Sequence, residues 1–490
     1  MIHKGLPRIA RLMALLSTYT LLTGAQSQVV SEPVRLRLPI SIVLTDKDIK
    51  PTPIGYSPVQ KFISVTDSIP RCVSDAFELP GQAWHIDVSA GGITLQAGTP
   101  DYPAVTPQSR ADALGLTGYM PQRGTVNVLI LDNFQPTPVP LDEDGPNQGQ
   151  GAVTYQLNHG ALVTAHLKSV LLGSGFTVRP PTTPSVASTY DAVLVNAKGN
   201  RTIQILTFDV GNLLKNKSER NAGGVTTQTL ARSLNASLKR EQGGWAKINE
   251  YPLVINMSFA LIPCNLQSEY FKFEAEALSK GLRLPFSTFL KAVADINLNL
   301  PFDASKPMTA AEQAYIRTLF TRISPTDPLL TWLDRRLRNR TAVAVASSGN
   351  YGLSFQTMPA AWPHVLGTGA TRADTATKLD WSDQGDTLEV GEWFNFTSLP
   401  ADVGCLVGPG CILAQMPAGT PPSVANFGYR GTSFSSPTVT AALAIKVPMT
   451  SPATSSPQPC FVNVAGYLRF APVTPKLTNK PFASAIEPCS

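Results

Sequence analysis

Five continuous apolar runs constrain the fold of this 490-residue chain more than any other feature. They are TVNVLILD, RTIQILTFDVG, YPLVINMSFA, TAVAVASSGN and HVLGTGA, and the first begins near residue 124. Runs of this kind are typical of strands buried on both faces of a parallel sheet. Two segments of helical periodicity, HGALVTAHLKSVLLGSG and TTQTLARSLNASLKREQGG, separate the first three runs. Strands that alternate with helices predict an α/β fold.

About 75 residues separate the third run from the fourth, which is more than one crossover helix requires. We predict a helical insertion over residues 265–338. A capping box at Thr309 opens one helix, Asp327-Pro328 opens another, and SEYFKFEAEALSKG is a third. The insertion is either a rim over a site or scaffolding, and we favour scaffolding. Residues 449–490 form a Ser/Pro-rich linker and a tail.

Residues 1–25 have the order of an export signal. Lys4, Arg8 and Arg11 precede the apolar stretch LMALLSTYTLLTGA, which ends in small residues. The stretch is shorter than the roughly 20 residues of a membrane span, and a membrane anchor or a buried helix are the alternatives. We expect a secreted or periplasmic protein without stable membrane insertion after signal removal. Residues 26–110 are proline-rich with short β-like runs, and we interpret them as a prosegment or an accessory region.

The composition argues against two classes of function. The formal net charge is +6, and removal of the signal with its three basic residues leaves +3. That charge is too small to indicate nucleic-acid binding, and no basic run contains interleaved aromatic residues. The six cysteines lack the spacing of a zinc site. In an exported chain they permit three disulfides, and we favour Cys405 with Cys411 and Cys460 with Cys489 over unpaired thiols.

Five histidines limit the choice of a general base. His159 precedes Gly160 at the start of a predicted helix, where a glycine lets a partner approach closely. His166 lies two turns later, and we expect it to face packing or solvent. Asp132 ends the first apolar run, at the carboxyl end of a strand where α/β proteins place their sites. An acid there can orient an imidazole, although Asp132 taken alone would be interpreted as a helix N-cap.

Two further polar residues stand at the ends of apolar elements. Asn350 ends the fourth run beside Gly349, where its amide can donate to a developing oxyanion. Ser433 opens the helical run in YRGTSFSSPTVTAALAI, with Pro437 in the first turn. A helix N-terminus favours negative charge, so the backbone N–H of Ser433 can be a second oxyanion donor. Taken alone, Asn350 would be a turn residue and Ser433 a helix N-cap.

The order of these four residues and their motifs resembles the subtilisin-like serine peptidases, or subtilases, over about residues 115–448. GTSFSSP is similar to the serine motif of that family and HGALV to its His-Gly motif. VINMSFA resembles its peptide-binding strand, and ASSGNYG resembles its oxyanion-asparagine segment. The resemblance implies a peptidase domain over residues 111–448. It also implies a three-layer subtilisin-like fold with a mostly parallel central sheet and helices on both faces, together with a small N-terminal β-rich region.

The resemblance implies a role for each residue. Ser433 would attack a peptide carbonyl, and His159 would take its proton and return it to the leaving amine. Asp132 would orient His159. Asn350 and the Ser433 backbone N–H would bind the oxyanion. The residues expected to bind substrate are Ser258, Phe259, Ala260 and Gly349.

The chain departs from the family pattern in three motifs. LDNF lacks the Ser/Thr-Gly that usually follows the aspartate, and HGALV lacks a second, non-catalytic histidine. SFALIP carries larger residues where the family has glycines beside the peptide-binding strand. This last departure predicts a narrowed or reshaped S1 pocket. Ser435 and Ser436 are expected to be small packing residues beside the nucleophile.

The resemblance further implies protein or peptide substrates, no nucleic-acid partner and no catalytic metal or other cofactor. Subtilases often bind calcium, and LDEDGPNQG offers Asp142, Glu143 and Asp144 as oxygen ligands, although we favour a solvated acidic loop. Family members often carry an inhibitory N-terminal chaperone, so residues 26–110 are a candidate inhibitory segment.

The endopeptidase function has two rivals. A catalytically silent secreted binding protein on the same scaffold is the alternative to an endopeptidase. A secreted esterase is rejected, because it would need a Gly-x-Ser-x-Gly elbow and a histidine that follows the serine.

Overall fold

A computed structural model gives the fold. The residues that it describes are 84–87, 94–97, 105–142, 154–179, 191–196, 198–210, 227–238, 248, 251–263, 266, 273, 286–320, 327–338, 342–362, 365–372, 377–391, 394–406, 411–415 and 427–446.

The elements are numbered in chain order. The strands are β1 Trp84–Asp87, β2 Thr94–Ala97, β3 Gly124–Asp132, β4 Pro136–Asp142, β5 Thr154–Asn158, β6 Phe176–Val178, β7 Ala192–Asn196, β8 Arg201–Asp209, β9 Leu253–Met257, β10 Ala260–Pro263, β11 Ala342–Ser347, β12 Val365–Thr371, β13 Thr387–Val390, β14 Phe394–Asn395, β15 Leu413–Gln415 and β16 Phe427–Arg430. The α-helices are α1 Pro107–Ala113, α2 His159–Gly173, α3 Thr227–Leu238, α4 Phe286–Leu298, α5 Ala310–Phe320, α6 Pro328–Arg338 and α7 Thr432–Lys446.

An eight-stranded sheet forms the centre, in the order β13-β12-β11-β9-β3-β8-β7-β6. From β13 to β8 every neighbouring pair is parallel, and β7 and β6 complete the sheet as antiparallel strands. The middle strand β9 is buried at all five positions, and β12 is buried throughout. Apolar strands buried on both faces require helices on both faces, which confirms the α/β fold with a mostly parallel sheet.

The helices α2 and α7 pack against each other and against this sheet. The helix α7 contacts the parallel strands from β13 to β3, and it is buried from Thr432 to Ile445. The helix α2 follows β5 directly and is buried along most of its length. Both helices begin at the carboxyl-end edge of the parallel strands, which brings His159 and Ser433 to the same edge.

A six-stranded sheet, in the order β14-β16-β2-β4-β5-β15, includes part of the N-terminal region. The strand β2 pairs antiparallel with β16 and parallel with β4, while β1 pairs antiparallel with β10. The Nε atom of Arg110, in α1, donates to Glu389 Oε1 at 2.7 Å. Described parts of residues 84–113 therefore contact strands that follow Asp132.

The predicted insertion contains three described helices, α4, α5 and α6. The capping box of α5 is confirmed, since the backbone N–H of Glu312 donates to Thr309 Oγ1 at 3.3 Å and Glu312 returns a bond to the backbone N–H of Thr309. The Asp327 carboxylate caps α6. The helix α4 was not predicted, and the predicted helix SEYFKFEAEALSKG lies outside the described residues except for Phe273.

The insertion packs on the segment that follows Asn350. The Phe286 ring of α4 lies 5.0 Å from the Tyr351 ring, centroid to centroid. The Gln313 Oε1 atom of α5 accepts a hydrogen bond from the backbone N–H of Ser354 at 3.1 Å. These contacts place the insertion beside one side of the candidate site.

Cys405 and Cys411, the pair favoured from the sequence, are joined by a disulfide with Cα atoms 5.0 Å apart. Cys460 and Cys489 lie outside the described residues. Over the described ranges, no helix is both long and apolar enough to cross a bilayer.

Candidate active site

A short hydrogen bond joins the end of β3 to the start of α2. The Nδ1 atom of His159 lies 2.5 Å from Asp132 Oδ1, which also accepts the backbone N–H of Asn133 at 2.7 Å. Asp132 is 0% exposed and His159 is 3% exposed. Burial raises the pKa of the Asp132 carboxyl, and the adjacent imidazole opposes that shift. The carboxylate therefore holds the ring with Nε2 directed away from it.

The start of α2 is fixed by an N-cap that sequence analysis missed. The Oδ1 atom of Asn158 accepts the backbone N–H of Ala161 at 2.8 Å, and its Nδ2 donates to the carbonyl of Phe134 at 2.9 Å. The Phe134 ring crosses the helix so closely that a Cβ at Gly160 would lie 2.8 Å from it. The glycine of the HGALV motif is therefore required by packing as well as by access to the histidine.

Ser433 lies in the first turn of α7 and is 2% exposed. Its Oγ donates to the carbonyl of Ser258 at 3.4 Å. Within the described part of the chain, the buried His159 Nε2 has no hydrogen-bond partner. The structure thus brings serine and histidine to one edge of the sheet without a hydrogen bond between them. Catalytic hydrogen bonds are often long or unaligned before substrate binds.

The hydroxyl of Ser258 lies beneath this turn. It accepts from Asn256 Nδ2 at 2.9 Å, donates to the Ser433 carbonyl at 3.1 Å and lies 2.9 Å from Ser436 Oγ. Ser435 Oγ donates to the carbonyl of Glu389 at 3.2 Å. The side chains of Ser258, Ser435 and Ser436 are therefore committed to holding the turn that carries Ser433.

Asn350 is oriented by a residue that sequence analysis did not single out. Its Oδ1 accepts both the backbone N–H and the hydroxyl of Thr432, each at 2.9 Å. The amide nitrogen of Asn350 then faces the other way, as a donor beside the N-terminus of α7. A threonine before a serine at a helix start gives no signal for such a contact in the sequence.

The remaining residues predicted to bind substrate have structural constraints of their own. Gly349 has φ +113°, and a Cβ there would overlap the Asp383 carboxylate. Phe259 is buried at 2% exposure. Ala260 begins β10 and is paired with Asp87 of β1, so part of this edge is occupied by the N-terminal region of the same chain.

His166, the other histidine whose side chain the structure describes, takes no part in this cluster. His166 is buried between Tyr429 Oη at 3.1 Å and Thr438 Oγ1 at 2.8 Å. Burial, with a contribution from the Arg110 charge, lowers the pKa of His166 to about 3, so it is neutral and structural. His85 lies in β1, and His364 lies outside the described residues.

A metal centre is not evident in the described ranges. They contain no group of three or more His, Cys, Asp or Glu side chains that could hold an ion. Of the proposed calcium ligands, Asp142 ends β4, whereas Glu143 and Asp144 lie outside the described residues.

The family model of the subtilases matches residues 224–456, slightly less than half of the chain. The chain contains a subtilase-family domain. The match includes Ser258, Asn350 and Ser433, whereas Asp132 and His159 precede it. Subtilases are serine peptidases, so the match indicates a domain of the serine peptidase type. No curated protein matches the sequence.

Solved protease structures show only a distant likeness to the subtilase domain. The self-cleaved protease domain of PatA is 17% identical, with 65% of this chain and 78% of that chain covered and a TM-score of 0.29. The prenylagaramide maturation protease PagA is 15% identical, with coverage of 69% and 78% and a TM-score of 0.29. The epidermin leader peptide processing serine protease EpiP of Staphylococcus aureus is 14% identical, with coverage of 71% and 74% and a TM-score of 0.29.

Proposed function

We propose that this chain is a secreted serine endopeptidase that uses Asp132, His159 and Ser433 as a catalytic triad and Asn350 as an oxyanion donor. The observation that carries the proposal is the 2.5 Å contact between His159 Nδ1 and Asp132 Oδ1, beside the turn that presents Ser433. A carboxylate bound to Nδ1 leaves Nε2 as the base for a nearby hydroxyl.

The reaction would proceed in two steps. The Oγ atom of Ser433, turned from the Ser258 carbonyl towards His159, attacks a peptide carbonyl while Nε2 takes its proton. The resulting oxyanion accepts hydrogen bonds from Asn350 Nδ2 and the Ser433 backbone N–H. Collapse breaks the C–N bond, and His159 returns the proton to the leaving amine. Water, deprotonated by His159, then hydrolyses the acyl-enzyme and regenerates the serine.

Active-site labelling tests this proposal. The purified protein is treated with a fluorophosphonate probe beside Ser433→Ala and the matched control Ser435→Ala, and the modified peptide is located by mass spectrometry. We expect label on Ser433 in the wild type and in the control, and none in Ser433→Ala. A folded, N-terminally processed protein that takes no label would contradict the proposal and favour a catalytically silent binding protein.

We further propose that the N-terminal region of residues 26–110 restrains the peptidase. Support comes from β1, which pairs with β10 from Asp87 opposite Ala260 to Trp84 opposite Pro263, at an edge predicted to bind peptide. The test is the rate of fluorophosphonate labelling before and after limited proteolysis, with the new N-terminus sequenced. We expect faster labelling once β1 is released, and an unchanged rate would refute the restraint.

Secretion rests on the order of basic, apolar and small residues in residues 1–25. Sequencing of the exported protein should find its N-terminus after Ala25, or further along the chain if the N-terminal region is also removed. An intact residue 1 in the cell fraction would contradict secretion.

The chemistry uses only protein groups, so we propose that no metal takes part in catalysis and that any calcium at Asp142, Glu143 and Asp144 is structural. Dialysis against EDTA should leave the labelling rate of Ser433 unchanged at temperatures well below the unfolding transition. A loss that only a divalent ion restores, without unfolding, would overturn this view.

A further inference from the structure

The segment that carries Asn350 is bound along its length by a second loop. Residues 381–384 lie against residues 349–353. Three backbone hydrogen bonds join them: Gly352 N–H to Trp381 O at 2.9 Å, Asp383 N–H to Gly349 O at 2.9 Å, and Gln384 N–H to Leu353 O at 3.0 Å. The hydroxyl of Ser348 also donates to the Asp383 carbonyl at 3.0 Å. The position of Asn350 therefore depends on this second loop.

A single carboxyl group lies at the centre of the contact. The Oδ1 atom of Asp383 accepts the backbone N–H of Tyr351 at 3.0 Å and of Leu353 at 2.7 Å. With its own backbone N–H on the Gly349 carbonyl, Asp383 binds the peptide groups on both sides of Asn350. None of the three triad residues takes part in these bonds.

The second carboxyl oxygen has no comparable partner. Asp383 is 0% exposed, and among the described residues its buried Oδ2 has no hydrogen bond. It lies against Gly349, where φ is +113° and a Cβ would overlap it. Burial raises the pKa of Asp383 well above its ordinary value, while the two backbone N–H groups and the Lys378 charge lower it. A half-satisfied buried carboxyl is costly to the fold, and such costs concentrate at functional sites.

We propose that Asp383 is a positioning residue for the oxyanion donor, which it serves by fixing the backbone on both sides of Asn350. The inference rests on the proposed peptidase function. The amide nitrogen of Asn350 must meet an oxygen that becomes anionic only in the transition state. A shift of the loop therefore lowers kcat and leaves ground-state binding largely unchanged.

The test uses hydrolysis of p-nitrophenyl acetate by the exported protein after N-terminal processing, with rates expressed per site titrated by fluorophosphonate. Asp383→Ala should lower kcat between about 10- and 100-fold with little change in KM, because small displacements of catalytic groups cost that much. Asp383→Asn keeps a carbonyl oxygen for both N–H donors, and we expect it to restore kcat to within about threefold of wild type.

A double-mutant cycle separates positioning from general stability. In an Asn350→Ala background the donor is already lost, so Asp383→Ala should lower kcat by less than about twofold more. Asp327→Ala is the matched control, because Asp327 is also fully buried and also accepts two backbone N–H groups, from Leu329 at 2.9 Å and Leu330 at 3.0 Å. It should lower stability without changing kcat per titrated site.

Additive losses in the double variant, or an unchanged kcat in Asp383→Ala, would overturn the inference while the wild-type activity upholds the peptidase function. An inactive, unlabelled wild type would refute the function itself. If Asp383→Ala does not fold, Asp383→Ser replaces it. One hydroxyl cannot reach both N–H groups, so kcat should still fall, and a wild-type kcat in that variant would refute the positioning role.

Discussion

The candidate site has two halves, a histidine half with Asp132 and His159 and an asparagine half with Asn350 and Asp383. Each half contains one buried aspartate, but the two carboxyl groups bind different donors. Asp132 and Asp383 are both fully buried, and each has one oxygen with two hydrogen bonds and another with no partner in the described residues. One donor to Asp132 is the side chain of His159, whereas both donors to Asp383 are backbone N–H groups. In the proposed mechanism the histidine half therefore transfers a proton, whereas Asp383 in the asparagine half only fixes the position of Asn350.

Asp132→Asn should cause the largest loss of kcat, and this loss should distinguish the histidine half from the asparagine half. An amide at this position can hold the ring in the wrong tautomer and cannot stabilise the imidazolium, so we expect kcat to fall by about 10⁴-fold. The measurement is p-nitrophenyl acetate hydrolysis per folded molecule, with folding checked by circular dichroism. The same Asp-to-Asn change at Asp383 should be nearly silent, and similar losses at both positions would break the comparison.

Asn350→Ala should come second. Removal of one oxyanion donor costs about 10²–10³-fold in kcat in serine peptidases. We expect KM to change little, because the lost hydrogen bond strengthens only as the oxyanion develops. A variant with unchanged kcat but raised KM would place Asn350 in substrate binding, and the asparagine half would then have no catalytic role.

Ser258→Ala tests the hydrogen bonds that hold the turn carrying Ser433. The change leaves Asn256 Nδ2 without the acceptor at 2.9 Å and the Ser433 carbonyl without the donor at 3.1 Å. Buried groups left unpaired cost about 1–3 kcal/mol, so urea unfolding should show a loss in that range. Ser435→Ala, which removes a single bond to a carbonyl, is the matched control and should lose less. Equal losses would show that the hydrogen bonds of Ser258 contribute no more to the free energy of unfolding than the single bond of Ser435.

Local sequence patterns mark the positions of Asp132 and His159, but they do not mark the residues that hold Asn350 in place. The reason is the distance along the chain between the residues in contact. Asp132 ends an apolar strand and His159 starts a helix, and both positions are visible in local patterns. The parallel sheet then brings the carboxyl ends of its strands to one edge, whatever the conformation of the loops. The Asn158 cap was equally local and could have been found from its place before the helix.

Asp383 and Thr432 could not have been found in this way. Asp383 lies in the stretch DWSDQG, where an acid between polar residues is typical of a solvated turn. Asp383 is buried against residues 349–353, which follow strand β11. That contact is distant in sequence, so neither hydrophobic periodicity nor a helix cap indicates it. The pairing of β2 within the six-stranded sheet was missed for the same reason, since four residues in a proline-rich region carry little pattern.

Another buried carboxyl, Asp295 in α4, lies outside the site, and its replacement should have the smallest effect. Its Oδ2 is 3.1 Å from Lys291 Nζ, which is also 2.6 Å from Glu312 Oε1. Burial, together with the neighbouring Glu312 carboxyl, raises the pKa of Asp295 to about 6, although Lys291 opposes the shift. An acid whose pKa rises on folding binds its proton more tightly in the folded state.

The contribution of Asp295 to stability should therefore be present at low pH and be lost as the pH rises from about 4 to about 6. Hydrogen bonds from Lys291 and Thr309 outweigh burial and lower the pKa of Glu312 from 4.5 to about 2. The stability that Glu312 contributes is therefore lost mainly as the pH falls below 4.5, outside the range compared. Urea unfolding at pH 4.5 and pH 7 should show a larger loss of unfolding free energy in the wild type than in Asp295→Asn, with kcat per titrated site equal in both. Equal losses would mean that Asp295 is ionised in the folded protein throughout this range. The pKa of Asp295 would then not be raised by its burial.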